Sequence, residues 1–336
     1  MLRVITEGCR VVLVTATEAE AAPLVDACRE PQTHVVATKT FVVGEFPSSD
    51  FPSGMTPRER KVVAPPVRAV VAVSGCDKAN AAHVLTCLLQ AMDPAPLIVL
   101  QVGIAGALPS AGPGPGASVG DVVLATSEAY SDTGSSSPSG WLSARDLGLP
   151  IARDGEVELG GLFPLDLDLA LWASEAIETI DWADRDAGAD VKAETSAHAE
   201  TGTQAEAGIH TEGAARTDAA AQTEGVAWPA GVGRPGARPA VLLGPCVTAS
   251  RMTGTTAEAE EMARRWAAFA ESMEGAAAAH ICALYRVPLL EIRGISNLVI
   301  DRDRDTWQVE RAVEVAGRAA LAVVGALSHL QPSGGR

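Results

Sequence analysis

Four side chains near the carboxyl end have the types and spacing to grip one polar substrate. Glu274 opens an Ala-rich run within Glu271–Asn297 (ESMEGAAAAHICALYRVPLLEIRGISN), and Arg293, Ser296 and Asn297 close the same stretch. A carboxylate accepts hydrogen bonds from hydroxyls and offsets a developing cation. A guanidinium keeps neighbouring carboxylates ionised, and an amide offers a donor and an acceptor side by side. A second acidic group lies near the amino end, in Thr17-Glu18-Ala19-Glu20. Thr17 can cap a helix whose first turn holds both acids. Two readings stay open there: solvated acids that complement the helix dipole, or one carboxylate that leans over a strand end and holds a water.

These residues need elements to position them. Met273 to Tyr285, with no Gly or Pro after Gly275, predicts a helix packed closely on a sheet, and Glu274 falls at its first turn. Pro288 punctuates it. Val287 to Ile295 then predicts a strand interrupted by Glu291 and Arg293, with Arg293, Ser296 and Asn297 placed towards its carboxyl end. Arg10 to Thr15 predicts a buried first strand that turns through Thr17 into a helix. Further strands are predicted at Thr33 to Gly44, Arg68 to Ser74, Leu97 to Val102, Gly120 to Ala125 and Val241 to Leu243. Gly75 permits a tight turn into a helix that ends near Met92, and Lys78 at its start reads as a salt-bridging surface residue. Gly103 to Ala107 reads as a Gly-rich turn where backbone approaches a ligand. Helices are predicted at Asp166 to Ile177 and Thr306 to Leu327. Strands alternating with helices give an α/β domain, in which ligands bind beyond the carboxyl ends of strands.

Composition narrows the function classes. The formal charge of −16 over 336 residues lacks the basic face that a nucleic-acid binder needs. No apolar run approaches the roughly 20 residues of a membrane helix, and Arg3, Glu7 and Arg10 break the first apolar run, so a cytoplasmic protein without a membrane partner is expected. The six cysteines show no metal-ligand spacing and read as reduced thiols. Phe46 to Arg60 and Pro109 to Gly116 read as loops. Residues 184–239 are rich in Ala, Gly, Thr, Glu and Asp and poor in aliphatic bulk, so they read as a disordered acidic insertion in one domain spanning 1–330. His198 and His210 within it have no partners that would make a metal site.

Ser-Met-Glu-Gly-Ala at 272–276, followed by Arg-Gly-Ile-Ser-Asn at 293–297, resembles the purine nucleoside phosphorylase and nucleosidase superfamily. The resemblance implies a three-layer α/β/α fold around a central mixed twisted sheet. It implies that Met273 lies against a ribose, that Glu274 grips its hydroxyls, and that Arg293, Ser296 and Asn297 address a purine. Glu20 matches the acid that holds the attacking water. Gly103, Ala105 and Gly106 match a Gly-x-Ala-Gly pocket segment, with Ile104 where methylthioadenosine-cleaving members carry Ser. Met252 stands where relatives place an aromatic cover over the base, and Arg251 beside it is a surface charge or a partner for a substrate carboxylate. Glu20, Glu274 and Asn297 are thus the candidate catalytic set. Asn297 replaces the Asp of adenine-cleaving relatives, and an amide suits a 6-oxopurine. Phosphate-using relatives carry Arg near the first strand, where this chain has two acids, so water is the expected nucleophile. The resemblance implies a nucleoside substrate, a homo-oligomer, and no metal or organic cofactor. A 6-oxopurine phosphorylase, an adenine nucleosidase and a non-catalytic nucleoside-binding domain remain the alternatives.

Overall fold

A computed structural model describes residues 1–48, 65–111, 116–138, 140–154, 157–182 and 238–328. The insertion expected at 184–239 lies outside these residues apart from its last two, as do most of the loop expected at 46–60 and the middle of that at 109–116.

In chain order the strands are β1 (Val11–Thr15), β2 (Arg29–Val36), β3 (Lys39–Phe46), β4 (Val67–Val73), β5 (Ile98–Ala107), β6 (Val122–Tyr130), β7 (Gly134–Ser137), β8 (Gly140–Ser143), β9 (Ala152–Asp154), β10 (Val157–Leu159), β11 (Leu162–Pro164), β12 (Val241–Thr248), β13 (Ala270–Ser272) and β14 (Leu289–Leu298). The helices are α1 (Leu2–Ile5), α2 (Glu18–Ala27), α3 (Lys78–Ala91), α4 (Leu167–Glu178), α5 (Thr256–Trp266), α6 (Gly275–Tyr285) and α7 (Val309–Leu327).

Ten strands make one mixed sheet. β1 lies between β4 and β5, parallel to both, and β3 and β2 extend it antiparallel. On the other side β5 pairs both β13 and β14, while β6 pairs both β12 and β14, so these five strands close on one another in a ring. The near-continuous apolar runs of β1, β4 and β5 follow from burial on both faces. One face packs on Leu24 of α2, Ala170 and Ala173 of α4 and Val315, Ala319 and Val323 of α7. The other packs on Val84, Leu85 and Leu88 of α3 and Ala276 and Ala279 of α6. The result is the expected three-layer arrangement, and the small side chains of α6 let it approach the sheet closely.

Two expectations change. Thr33 to Gly44 is not one strand but part of a hairpin, β2–β3, turning at Ala37 and Thr38, which both have positive φ. Gly103 to Ala107 is not a turn. β5 continues through it, because β14 supplies hydrogen-bonding partners along this whole length.

Candidate active site

The two readings of the amino-terminal acids separate at Glu20, which is buried rather than solvated. Thr17 caps α2: its hydroxyl oxygen accepts from Glu20 N at 3.2 Å, and Glu20 Oε2 accepts in return from Thr17 N at 2.9 Å. The same oxygen also accepts from Ala16 N at 3.0 Å, while Oε1 accepts from Ile104 N at 2.9 Å. The capping carboxylate therefore spans β1, α2 and β5 and is 6% exposed. Glu18, in the same first turn, is exposed.

Arg293 sits in the middle of β14 and is 1% exposed. Gly103 of β5 lies beside it in register, and a Cβ there would stand 2.6 Å from Glu20 Oε1 and 2.7 Å from Arg293 Nη1. The glycine is needed for that close approach rather than for a turn. Arg293 Nε donates to Glu291 Oε1 at 2.7 Å, and Nη1 lies 3.6 Å from Glu274 Oε2. Glu274 is the N-cap residue of α6, but its side chain does not cap that helix. Its Oε1 accepts instead from the N–H of Asp77, the N-cap residue of α3. Beneath lies Glu128, close to the Glu291 carboxyl, with its Oε2 accepting from the Thr248 hydroxyl at 2.9 Å; that hydroxyl in turn accepts from Ala276 N at the start of α6.

The charge balance of this cluster is lopsided, with four carboxyl groups around one guanidinium. Burial, reinforced by Glu291, pushes Glu128 well above the ordinary carboxylate range. Glu274 is also raised, since burial outweighs the pull of Arg293 and of the Asp77 N–H. Arg293 does pull Glu274 towards its ionised form, as expected, but burial works more strongly in the other direction. Burial works against the charge on Arg293 too, but Glu291, Glu274 and Glu20 overcome it and raise the guanidinium further.

One cavity of about 430 Å³ opens over this cluster. Glu20, Glu274 and Asn297 all line it, together with Ala105, Gly106, Met252, Met273 and Ser296. Gly103 and Arg293 are not among its walls: they stand one layer behind, where Arg293 braces Glu274. Asn297 is held by Ser296 Oγ, which donates to Oδ1 at 2.8 Å, and by Leu298 O, which accepts from Nδ2 at 3.1 Å. One amide hydrogen and one oxygen lone pair remain for a ligand. Ser296 and Asn297 belong to β14 itself, at a register shift between Ile295 and Asn297 that turns the amide into the cavity. Met252 is 40% exposed at the rim.

Several wall residues escaped the sequence reading: Cys76, Thr253, Glu271, Ser272, Arg302 and Trp307. Glu271 and Ser272 lie on a three-residue strand, too short for its alternation to be read. The others follow element ends, where no periodicity marks them. Arg251 faces away, pairing with Glu258 at 3.0 Å beside a neighbouring hollow of about 540 Å³. Lys78 pairs with Asp132 at 2.5 Å, in keeping with a salt-bridging role. Among the described residues no three His, Cys, Asp or Glu side chains are grouped to hold a metal, and no helix is long and apolar enough to cross a membrane.

Comparison with known proteins places this geometry. Two curated futalosine hydrolases match: that of Streptomyces coelicolor is 40% identical over 98 residues, covering 29% of this chain and 37% of that protein. That of Thermus thermophilus is 38% identical over 73 residues, covering 22% of this chain and 32% of that protein. The chain thus matches about a third of the length of these relatives. Among solved structures, the 5′-methylthioadenosine/S-adenosylhomocysteine nucleosidase of Neisseria meningitidis, bound to methylthio-immucillin-A, superposes with a TM-score of 0.61 at 20% identity, over 94% of this chain and 99% of that one. The corresponding nucleosidase of Colwellia psychrerythraea, bound to adenine, gives 0.62 at 17% identity over 95% of each chain. At these identities the likeness is one of fold. The sequence pattern described as the phosphorylase superfamily matches residues 10–330, which takes in every strand and helix around the cavity; the chain belongs to that superfamily.

Proposed function

We propose that the chain is a purine nucleosidase that hydrolyses futalosine, the hypoxanthine nucleoside of menaquinone biosynthesis, to hypoxanthine and the dehypoxanthine sugar. The observation that carries the reading is the convergence of Glu20, Glu274 and Asn297, from opposite ends of the sequence, on one cavity. The partial matches to two futalosine hydrolases support the choice of substrate, as does the amide at Asn297.

Cleavage of the glycosidic bond sends its electron pair to the purine and leaves positive charge on the ribose. The site must stabilise that cation more than it stabilises the neutral substrate. Glu274, ionised and bonded to ribose hydroxyls, supplies negative charge beneath the sugar, with Met273 against the ring. Glu20 receives the attacking water, whose oxygen bonds to C1′. One water proton leaves through Glu20, and the departing purine gains a proton in the overall balance. Asn297 donates to the purine as it accumulates charge. Arg293, paired to Glu291, fixes the position of Glu274 from behind. The reading also makes the enzyme a cytoplasmic homo-oligomer.

The test is chromatography of free bases after incubation with futalosine, inosine and methylthioadenosine, with and without phosphate. Hypoxanthine from futalosine in phosphate-free buffer, with no adenine from methylthioadenosine, is the expected outcome. Release only when phosphate is added would make the protein a phosphorylase, and binding without release would make it a nucleoside-binding domain.

A further inference from the structure

Two carboxyl groups that reach neither the cavity nor solvent meet at Gly275, the first residue of α6. Glu128 of β6 and Glu291 of β14 are both fully buried. A Cβ at Gly275 would stand 2.2 Å from Glu128 Oε1 and 2.3 and 2.6 Å from the two oxygens of Glu291. The glycine thus leaves the space in which these carboxyls approach one another. Their other oxygens are occupied. Glu128 Oε2 accepts from Ala129 N at 3.1 Å and from the Thr248 hydroxyl at 2.9 Å, and Glu291 Oε1 accepts from Arg293 Nε at 2.7 Å. Glu128 Oε1 and Glu291 Oε2 have no donor among the described residues.

Two buried carboxylates side by side, each with an oxygen that lacks a donor, are costly if both are ionised. One hydrogen answers both needs: the carboxyl that carries it donates, and the other accepts. The neighbours decide which carries it. Arg293 touches Glu291, so Glu291 pairs as the anion. Ala129 and Thr248 fill Oε2 of Glu128, which leaves Oε1 for the hydrogen. The titratable and charged groups facing the pair are Arg293 from β14, Glu274 from the start of α6, Cys246 from β12 and Tyr130 from β6; of these Arg293 alone is a cation. Burial and the Glu291 charge push Glu128 well above the ordinary carboxylate range. We propose that Glu128 is a positioning residue for the reaction: its Oε1 holds a hydrogen and donates it to Glu291, which fixes that carboxylate against Arg293 and so sets Arg293 behind Glu274. Ionised, Glu128 would instead repel Glu291 and compete with it and with Glu274 for the one guanidinium.

This rests on the purine nucleosidase reading and adds a residue that never touches the substrate. The competing role for Glu128 is only to tie β6 to β12 through Thr248, which needs no hydrogen on the carboxyl. Infrared spectra and turnover of the full-length chain separate the two. At pH 8 the wild type should show the C=O stretch of a protonated carboxyl that disappears in Glu128→Gln. Glu128→Met, with no donor for Glu291, should lose about ten- to a hundredfold in kcat. Glu128→Gln, whose amide donates to Glu291 and accepts from Thr248, should recover most of that loss. Thr248→Val breaks the tie but leaves the hydrogen, so its kcat should stay well above that of Glu128→Met. A spectrum without the band, or with a band unchanged in Glu128→Gln, overturns the proposal. So does wild-type kcat in Glu128→Met, or a Thr248→Val loss equal to that of Glu128→Met. The infrared comparison and Thr248→Val decide the matter even if Glu128→Met does not fold. Failure to release base from any purine nucleoside sinks the nucleosidase reading and the positioning role together; release by a protein that lacks the band sinks the positioning role alone.

Discussion

Removing the guanidinium at position 293 separates an electrostatic framework from a packed one. Arg293 is 1% exposed and its partner Glu291 is fully buried, with Nε–Oε1 at 2.7 Å. In Arg293→Met the hydrocarbon volume is largely kept, but Glu291 and Glu274 remain buried without their cation, next to Glu128. Deleting one partner of a buried pair costs about 3–5 kcal/mol. For a domain of this size that corresponds to a fall in Tm of roughly 6–20 °C. Adding Glu291→Leu removes the carboxylate left stranded, so the double variant should be more stable than Arg293→Met alone by about 1 kcal/mol or more. Urea unfolding followed by circular dichroism, with unchanged slopes, gives both numbers. An Arg293→Met protein within about 1 kcal/mol of wild type would show that the carboxylates are already neutral or hydrated. A double variant worse than the sum of its single variants would show that shape rather than charge holds this layer together.

Three other outcomes follow from the same cluster. Glu274→Gln should stay folded and lose about 10²–10³ in kcat, the scale of a group that stabilises transition-state charge; full turnover would remove Glu274 from the chemistry. Burial raises Glu128, Glu271 and Glu274, so the folded state holds protons that the unfolded chain has released, and stability should fall as pH rises from the ordinary value of 4.5 through the raised values. Melting at pH 5.5 and 8.0 checks this: a higher Tm at 8.0, or a slope unchanged in Glu128→Gln, contradicts it. Cys76 is the exposed one of the six free thiols and lines the cavity, yet burial first and then Glu274, Glu20 and Asp77 raise its pKa. Iodoacetamide should therefore label it slowly at pH 7.5, faster with each step in pH, and not at all under saturating hypoxanthine; labelling that ignores the base would place the ligand elsewhere.

The parts of this site legible in the sequence are those where local chemistry and tertiary role coincide. Thr17 and Glu20 spell a capping box, and the capping carboxylate is the one that enters the cavity. The Ala-rich run of α6 announces close packing, and β14 announces burial on both faces. What stayed hidden depends on register between distant strands. Nothing local shows that Gly103 makes room for Arg293, or that Gly106 lies between Glu271 and Asn297, because each relation joins residues far apart in the chain. The continuation of β5 through its glycines is hidden for the same reason: composition argues for a turn, and only the pairing with β14 overrides it.

That dependence on register explains why the charged layer can be both buried and tolerated. Four carboxyl groups around one guanidinium would be unstable if all were ionised at close range, and the protein meets the problem by distributing roles. Glu20 is neutralised in effect by three backbone N–H groups, those of Ala16, Thr17 and Ile104. Glu291 takes the guanidinium, and Glu128 is driven towards its protonated form. Glu274 has a single backbone donor and a guanidinium partner at 3.6 Å, and with Glu20 it lines the cavity, whereas Glu128 and Glu291 lie behind it. On the proposed reading, a sugar that becomes cationic as its bond breaks brings this carboxylate a counter-charge. A counter-charge that arrives only as the bond breaks favours the transition state over the substrate, which is the direction differential binding requires.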